Sequence, residues 1–520
     1  MPRLGSLPRA LLRGLVPAGV LALWVWNVVN TDRTPAADGP HMRSQALHLG
    51  GWLAHGVWAR AGHEIIRLTA PHPPVGYLPL IVAAIFSRDV RVIIGVSDVF
   101  FGLLLLDASM RLCRRDGWLS GQLAWAFGMA SAMTWWSGDH AGFDLAAAAT
   151  CLQAVSWLDA SEGLSRRREV VAFSAWLAAA FLTKYSSPLV LVGPVVLGGV
   201  LGGAMVRERR NLGIAVAVFL VIAVPYYALN GTAVVTYVRS ALDPHAAPGN
   251  FPASRTILER FGGDGQLGFI GVLKDQLGWP AMALLLGAAV LRRRWLPLAG
   301  VVCGVVILGA MNSREARYAL PLVFLLTTAG APLLRFGWQH LAGFGALAAL
   351  TLYGTASSFY ACDAACAPAA RVFEMDVGAW QTRGVWPEPS ESFRPISEPV
   401  GEWQVAEVVG AAMDAGANGI LLVISDRIFC PKASSFMLAA ESLGLDLPMH
   451  VVHVLETSHG LEVNTYTGLF AEQQSEDPAF GYVILSEEST DAQAWFAAHA
   501  GEEIRRFSLP RGATGVLLKW

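Results

Sequence analysis

Residues 170–203 read VVAFSAWLAAAFLTKYSSPLVLVGPVVLGGVLGG, 34 residues that are apolar except at Ser174 and at Thr183-Lys184-Tyr185-Ser186-Ser187. A hydrocarbon core ~30 Å thick is crossed by about 20 helical residues. One crossing cannot absorb this run, so it is read as two helices turned back on each other at Lys184-Tyr185. The basic triplet Arg166-Arg167-Arg168 precedes the run and Arg207/Arg209/Arg210 follows it. Positive clusters mark the cytoplasmic side of a membrane protein, so both ends of this hairpin are assigned to the cytoplasm and its Lys184 tip to the outside.

The same reasoning extends along the chain. Apolar runs recur from Leu15 to Tyr360, separated by Arg3/Arg9/Arg13, Arg111/Arg114/Arg115, the two clusters above, Arg292/Arg293/Arg294 and the weaker Arg335. Neighbouring clusters must be separated by an even number of crossings. Crossings are predicted near 14–30, 91–109, 118–136, 143–159, the two halves of 170–203, 211–229, 267–290, 296–311, 318–334 and 341–359. These eleven place the N-terminus inside and everything after Tyr360 outside. Read as a cleaved signal peptide, the first segment would impose a different parity on the next basic cluster.

Composition agrees with this class. Of 520 residues, 54% are hydrophobic and 15% charged, against roughly 25% charged in soluble domains, and mean hydropathy is +0.45. Residues 1–360 hold 29 Lys/Arg and 18 Asp/Glu, a balance of +11, while 361–520 hold 9 and 22, a balance of −13. The expected fold is therefore a polytopic helical membrane module over 1–360, a linker over 361–400, and an extracytoplasmic α/β domain over 401–520. Cys113, Cys151 and Cys303 lie in or beside apolar stretches, where a thiol is usually a small hydrophobe. Cys362 and Cys366, on the outside, leave a disulfide open.

Val75 to Phe86 is too short to span, bracketed by Pro71, Pro73 and Pro74 before it and Arg88 to Arg91 after it. Runs of that length are more often interfacial. The first external loop, 31–90, is thus expected to carry helices lying on the membrane surface, and a second long external loop runs over 230–266. Cytoplasmic loops are all short, so chemistry faces outward.

Several polar residues collect at the outer helix ends, an expensive placement unless they line a site. Asp32 and Asp38 follow the first crossing, and His72 lies in Pro71-His72-Pro73-Pro74. Asp139, His140 and Asp144 join the third and fourth crossings; Lys184 and Tyr185 form the hairpin tip; Arg314, Glu315, Arg317 and Tyr318 join the ninth and tenth. For any one of these a solvated helix cap is an equal reading. As a set, carboxylates in two loops face cations in two others. A carboxylate serves as general base or holds a divalent metal ion, and Lys or Arg grips a phosphate. The combination suits group transfer from a phosphate-bearing donor.

Six short elements lie in a telling order: Ala37-Asp38-Gly39-Pro40-His41; Pro71-His72-Pro73-Pro74-Val75-Gly76-Tyr77-Leu78; Arg91 with Arg114-Arg115; Asp144-Leu145-Ala146; Leu182-Thr183-Lys184-Tyr185; and Arg317-Tyr318-Ala319-Leu320-Pro321. In these the chain resembles the membrane-embedded GT-C glycosyltransferases of the family-39 type, which include protein O-mannosyltransferases and bacterial lipid A aminoarabinose transferases. The likeness covers about residues 14–330. It implies a lipid-linked donor, a polyprenyl-phosphate sugar entering from the bilayer, and a protein, lipid or glycan acceptor approaching from outside. By resemblance, Asp38 is the catalytic base and Asp144, with Asp139 and His140, the second acidic position that organises the site or a metal. His72, Lys184 and Arg317 fall near the donor phosphate, and His41, Arg314 and Tyr318 flank them. Asp38 is followed by Gly39-Pro40-His41 rather than the family's commoner Glu and aromatic residue, so Asp32 is the alternative base.

Beyond 400 the pattern alternates: helix 403–415, strand 419–425, helix 434–443, strand 449–455, strand 481–486, helix 491–500, then strands 504–509 and 515–520. Alternation favours a small α/β sandwich with a mainly parallel sheet. It carries no nucleotide fingerprint or metal spacing, Cys430 reads as an incidental thiol, and net acidity argues against nucleic acid or anionic lipid as partner. An accessory role, docking acceptor or partner, is expected for it.

Two rival classes remain: a transporter or flippase of a lipid-linked glycan, and a non-enzymatic membrane component. Transporters usually show paired repeats and midplane sites, and neither is visible here. The ionisable groups in separate loops count against the second. Asp38→Asn is expected to abolish sugar transfer while leaving the protein folded and inserted; retained transfer in that variant would move the base to another residue.

Overall fold

The computed structural model describes residues 14–25, 39–68, 73–131, 133–134, 143–201, 207–242, 269–310, 316–336, 376–377, 380–381, 404–416, 419–425, 450–457, 460–466, 480–485, 501–509 and 514–519. The expected crossing at 341–359, the helices at 434–443 and 491–500, and Cys362, Cys366 and Cys430 lie outside these residues.

The first helices are α1 (Gly14–Val25), α2 (Gly39–Ala54) and α3 (Trp58–Leu68). A 3₁₀ turn at Pro74–Tyr77 then leads into α4 (Leu78–Phe86), and α5 follows at Val90–Leu112. Thus 31–90 holds helices, as expected of it. Asp89 caps α5, its Oδ1 accepting from the Arg91 N–H at 2.8 Å. Next come α6 (Trp118–Met129), α7 (Phe143–Ala160), α8 (Arg167–Phe181) and α9 (Ser187–Val195), the last continued by a π turn, Val196–Leu201. The long apolar run does break at Lys184, where Pro188 in the first turn of α9 cannot extend a preceding helix.

Two later elements differ from expectation. The helix expected over 211–229 is α10, Arg209–Leu242, which consumes the first part of the loop expected at 230–266. No proline or glycine pair breaks it after Gly231, and the Asn230 amide, donating to the Ile66 carbonyl at 3.0 Å, pins it against α3. The helix expected over 267–290 is divided into α11 (Phe269–Leu277) and α12 (Trp279–Leu291). Gly278 between them has φ +75° and Pro280 opens α12, so backbone chemistry rather than hydropathy decides the break. The bundle continues with α13 (Trp295–Ala310), a 3₁₀ turn at Ala316–Ala319 and α14 (Leu320–Gly330).

At the centre stand α7 and α14, the latter buried along its whole length. Alanines at 146–149 of α7 let α5, α8, α9 and α14 approach closely. A Cβ at Gly193 would lie 2.2 Å from the Ala299 carbonyl oxygen, so α9 and α13 touch backbone to backbone there. Phe86, Val221, Leu229 and Leu291 instead lie largely exposed, the outward apolar surface that lipid tails cover. Arg91–Leu112 and Arg209–Thr236 are long and apolar enough to cross a bilayer.

Four basic clusters meet at one end of this bundle. Arg294 forms a buried ion pair with Asp116 and donates to the Leu112 carbonyl at 3.0 Å. Arg114 lies 3.9 Å from Asp159, and Asn211 donates to the Leu164 carbonyl at 2.8 Å. The loops after α5, α7 and α12 and the start of α10 are therefore neighbours, the arrangement that an even number of crossings between clusters requires.

In the C-terminal region, α15 (Val405–Asp414) buries Val405, Val408, Val409 and Ala412, one helical face. Two short strands, β1 (Asp376–Val377) and β2 (Trp380–Gln381), pair antiparallel within the expected linker. A six-stranded sheet is built from β3 (Gly419–Ser425), β4 (His450–Thr457), β5 (Gly460–Tyr466), β6 (Phe480–Leu485), β7 (Glu502–Ser508) and β8 (Thr514–Lys519). Its order is β5-β4-β3-β6-β8-β7. Only β3 pairs in parallel, with β4 and β6; the other pairings are antiparallel. The expectation of a mainly parallel sheet overlooked β5, which returns directly along β4, and missed that the two last strands form a hairpin, β8 returning along β7 and lying antiparallel to β6 as well.

Gly193→Ala is expected to lower the melting temperature in detergent by the equivalent of about 1–3 kcal/mol, the usual cost of overpacking. Gly213→Ala, where a Cβ meets nothing within 4 Å, is the control and should be neutral or stabilising.

Candidate active site

At the end of the bundle opposite the basic clusters, four irregular segments converge. The first is the turn Leu182–Ser186 between α8 and α9, where Thr183 Oγ1 donates to the Ala179 carbonyl at 2.7 Å and the Ser187 N–H to the Lys184 carbonyl at 3.0 Å. The second is the turn Pro74–Tyr77, whose Val75 N–H donates to the Leu182 carbonyl at 2.8 Å. The third is the start of α7. Phe143 there lies edge-to-face with Tyr77 at 4.5 Å, and a Cβ on Gly76 would come within 2.5 Å of its ring, so only glycine fits. The fourth is the turn Ala316–Ala319.

Asp144 and Lys184 meet where these segments join. Asp144 sits in the first turn of α7, where unpaired N–H groups and the helix dipole favour a carboxylate. It is almost fully buried, and its Oδ1 accepts from the Lys184 ammonium. Lys184 also places its ammonium over the Tyr318 ring, 4.4 Å from the centroid, an electrostatic attraction that adds to the ion pair. Asp144 Oδ2 is buried and has no hydrogen-bond partner among the described residues. A half-used buried carboxylate holding a partly exposed cation can take up a further donor or cation on Oδ2 and offer Lys184 to an anion. Leu182, Tyr226 and Val234, with Val75 and Tyr185 packed against them, form an apolar cluster beside the turn.

Three sequence-predicted residues, Asp144, Lys184 and Tyr318, are thus brought together from three separate loops. Asp32, Asp38, His72, Asp139, His140 and Arg314 lie outside the described residues. His41 falls in α2 and Arg317 in the turn that carries Tyr318, but their side chains lie outside them too. Among the described residues no three His, Cys, Asp or Glu side chains gather into a metal-binding group.

Sequence reading passed over two buried polar residues. Asp98 is buried within α5, and a carboxylate inside an apolar run is itself a recognisable signal. Gln276 is buried in α11, its Oε1 accepting from the Met133 N–H at 2.8 Å. A lone glutamine in a helix carries no comparable signal.

No protein-family model and no curated protein matches the sequence. Solved structures do. The crystal structure of ArnT from Cupriavidus metallidurans bound to undecaprenyl phosphate matches at TM-score 0.57 and 15% identity, over 99% of this chain and 98% of that one. The apo state of the same protein matches at TM-score 0.57 and 16% identity, over 97% of each chain. Identity this low speaks for architecture alone. The chain has the polytopic helical membrane fold of ArnT, the GT-C fold that its motifs resemble.

Proposed function

We propose that this protein is a glycosyltransferase that moves a sugar from a polyprenyl-phosphate carrier to an acceptor at the outer face of the cytoplasmic membrane. The observation that carries the reading is the Asp144–Lys184–Tyr318 contact, set at one end of a fold shared with a protein crystallised on undecaprenyl phosphate. In this reading the basic end is cytoplasmic, the Lys184 end external, and 401–520 extracytoplasmic.

An acceptor hydroxyl attacks the anomeric carbon, the bond from that carbon to the phosphate oxygen breaks, and polyprenyl phosphate leaves with added negative charge. Lys184 is the group placed to meet that charge, and a fixed cation in a dry site stabilises a developing anion far better than in water. Asp144 holds the ammonium in position, and the Tyr318 ring restrains it from the other side. Asp38 takes the proton of the acceptor, with Asp32 as the alternative. His72 and Arg317 supply further contacts to the phosphate, and His41 and Arg314 border the site. A divalent metal ion belongs to the proposal only through Asp144 Oδ2, with Asp139 and His140 as its further ligands.

The test separates charge pairing from catalysis. Lys184→Met leaves a buried carboxylate without its cation and is expected to cost about 3–5 kcal/mol of stability. The double variant Asp144→Leu/Lys184→Met removes both charges and is expected to regain most of that stability. Transfer from radiolabelled undecaprenyl-phosphate sugar by purified protein should fall at least about a hundredfold in both. A double variant that regains stability and activity together would reject the catalytic reading of this pair.

A further inference from the structure

The amide of Gln276 is positioned but only half used. It lies at the end of α11, two residues before the break at Gly278, whose own N–H donates back to the Lys274 carbonyl at 2.6 Å. The side chain is 1% exposed. Its Oε1 accepts from the Met133 N–H at 2.8 Å, which fixes the orientation of the carboxamide, since a flipped amide would set N–H against N–H. The Nε2 group then faces away from Met133, and it has no hydrogen-bond partner among the described residues. An amide with two donors buried and unanswered is costly, and such a group in a native protein calls for an explanation.

Its surroundings supply one. Met133 lies past α6 on the way to Asp144, and α11 packs against the turn Ala316–Ala319, whose Tyr318 covers Lys184. At this same end Asp144 Oδ2 is a buried acceptor without a donor among the described residues. A neutral amide donor suits the oxygen of a sugar hydroxyl, and a carboxylate acceptor suits a hydroxyl proton. A phosphate brings no proton for the carboxylate and is better met by Lys184.

We infer that Gln276 is a specificity-determining residue that reads an oxygen of the transferred sugar through Nε2, while the phosphate is left to the cations. This rests on the glycosyltransferase reading. It assigns to a helix outside the recognised motifs the part of donor recognition that distinguishes a loaded carrier from an empty one.

The experiment uses the full chain in nanodiscs and two probes, undecaprenyl phosphate and undecaprenyl phosphate bearing one sugar from a panel of hexoses and pentoses, including an amino sugar. The readout is the ratio of their affinities. Gln276→Met removes both polar atoms; Gln276→Glu keeps an acceptor for the Met133 N–H and removes the donor. Each is expected to lower the preference for the best glycosylated carrier about tenfold, the loss of one well-placed hydrogen bond, with little change for the empty carrier in Gln276→Met. The charge brought by Gln276→Glu acts on the phosphate of both probes and cancels in the ratio for the uncharged sugars, so with those sugars this variant decides the matter where Gln276→Met does not fold. An unchanged ratio overturns the assignment alone. A wild-type chain that binds neither probe overturns the glycosyltransferase reading, and this assignment with it.

Discussion

Within a hydrocarbon layer a backbone N–H or C=O finds no water, and each unpaired group costs several kcal/mol. The chain answers with helices through the apolar thickness and confines irregular backbone to their ends. There the loose groups satisfy one another: the Val75 N–H on the Leu182 carbonyl, the Tyr227 hydroxyl on the Phe181 carbonyl at 2.7 Å. Because non-helical backbone gathers where crossings end, so do the side chains that need water, charge or ligand. A composite site at one end follows from the solvent before any particular chemistry is considered.

The two ends treat their polar groups differently. At the basic end the arginines are held by several partners at once. Arg111 donates to Asp107, Gln153 and Ser156 and lies 3.8 Å from the Trp157 ring centroid, while Arg294 holds both Asp116 and the Leu112 carbonyl. Such a network fastens loops together. At the other end a comparable buried pair, Asp144 with Lys184, leaves one carboxylate oxygen over among the described residues, and Gln276 leaves over a donor. Capacity left open in a dry place is poor economy for stability alone and is what ligand recognition requires.

Much of this was legible in one dimension. The break at Lys184 follows from counting apolar residues against a membrane thickness, and the gathering of basic clusters follows from parity. The short run 75–86 forms a short helix bounded where the sequence bounds it, by prolines before and arginines after. The two misread helices failed for one reason. Hydropathy reports what is apolar, whereas α10 is extended by its packing on α3, and α11 and α12 are parted by the left-handed backbone of Gly278. Strand β5 escaped because its partner β4 precedes it immediately and its own run is largely polar.

By itself the sequence determined the membrane class, the spacing of basic clusters between apolar runs and which segments carry ionisable groups, since hydrophobic length and charge are properties of short segments. The tertiary structure decided which of those groups meet. Asp144 finds Lys184 forty residues along and Tyr318 far beyond, and Gln276 finds Met133 across 143 residues. Those meetings depend on how each helix is rotated and how near its neighbour can come. Contacts such as Gly76 on Phe143 and Gly193 on Ala299 set that approach, and a pattern of apolar and charged letters does not record it.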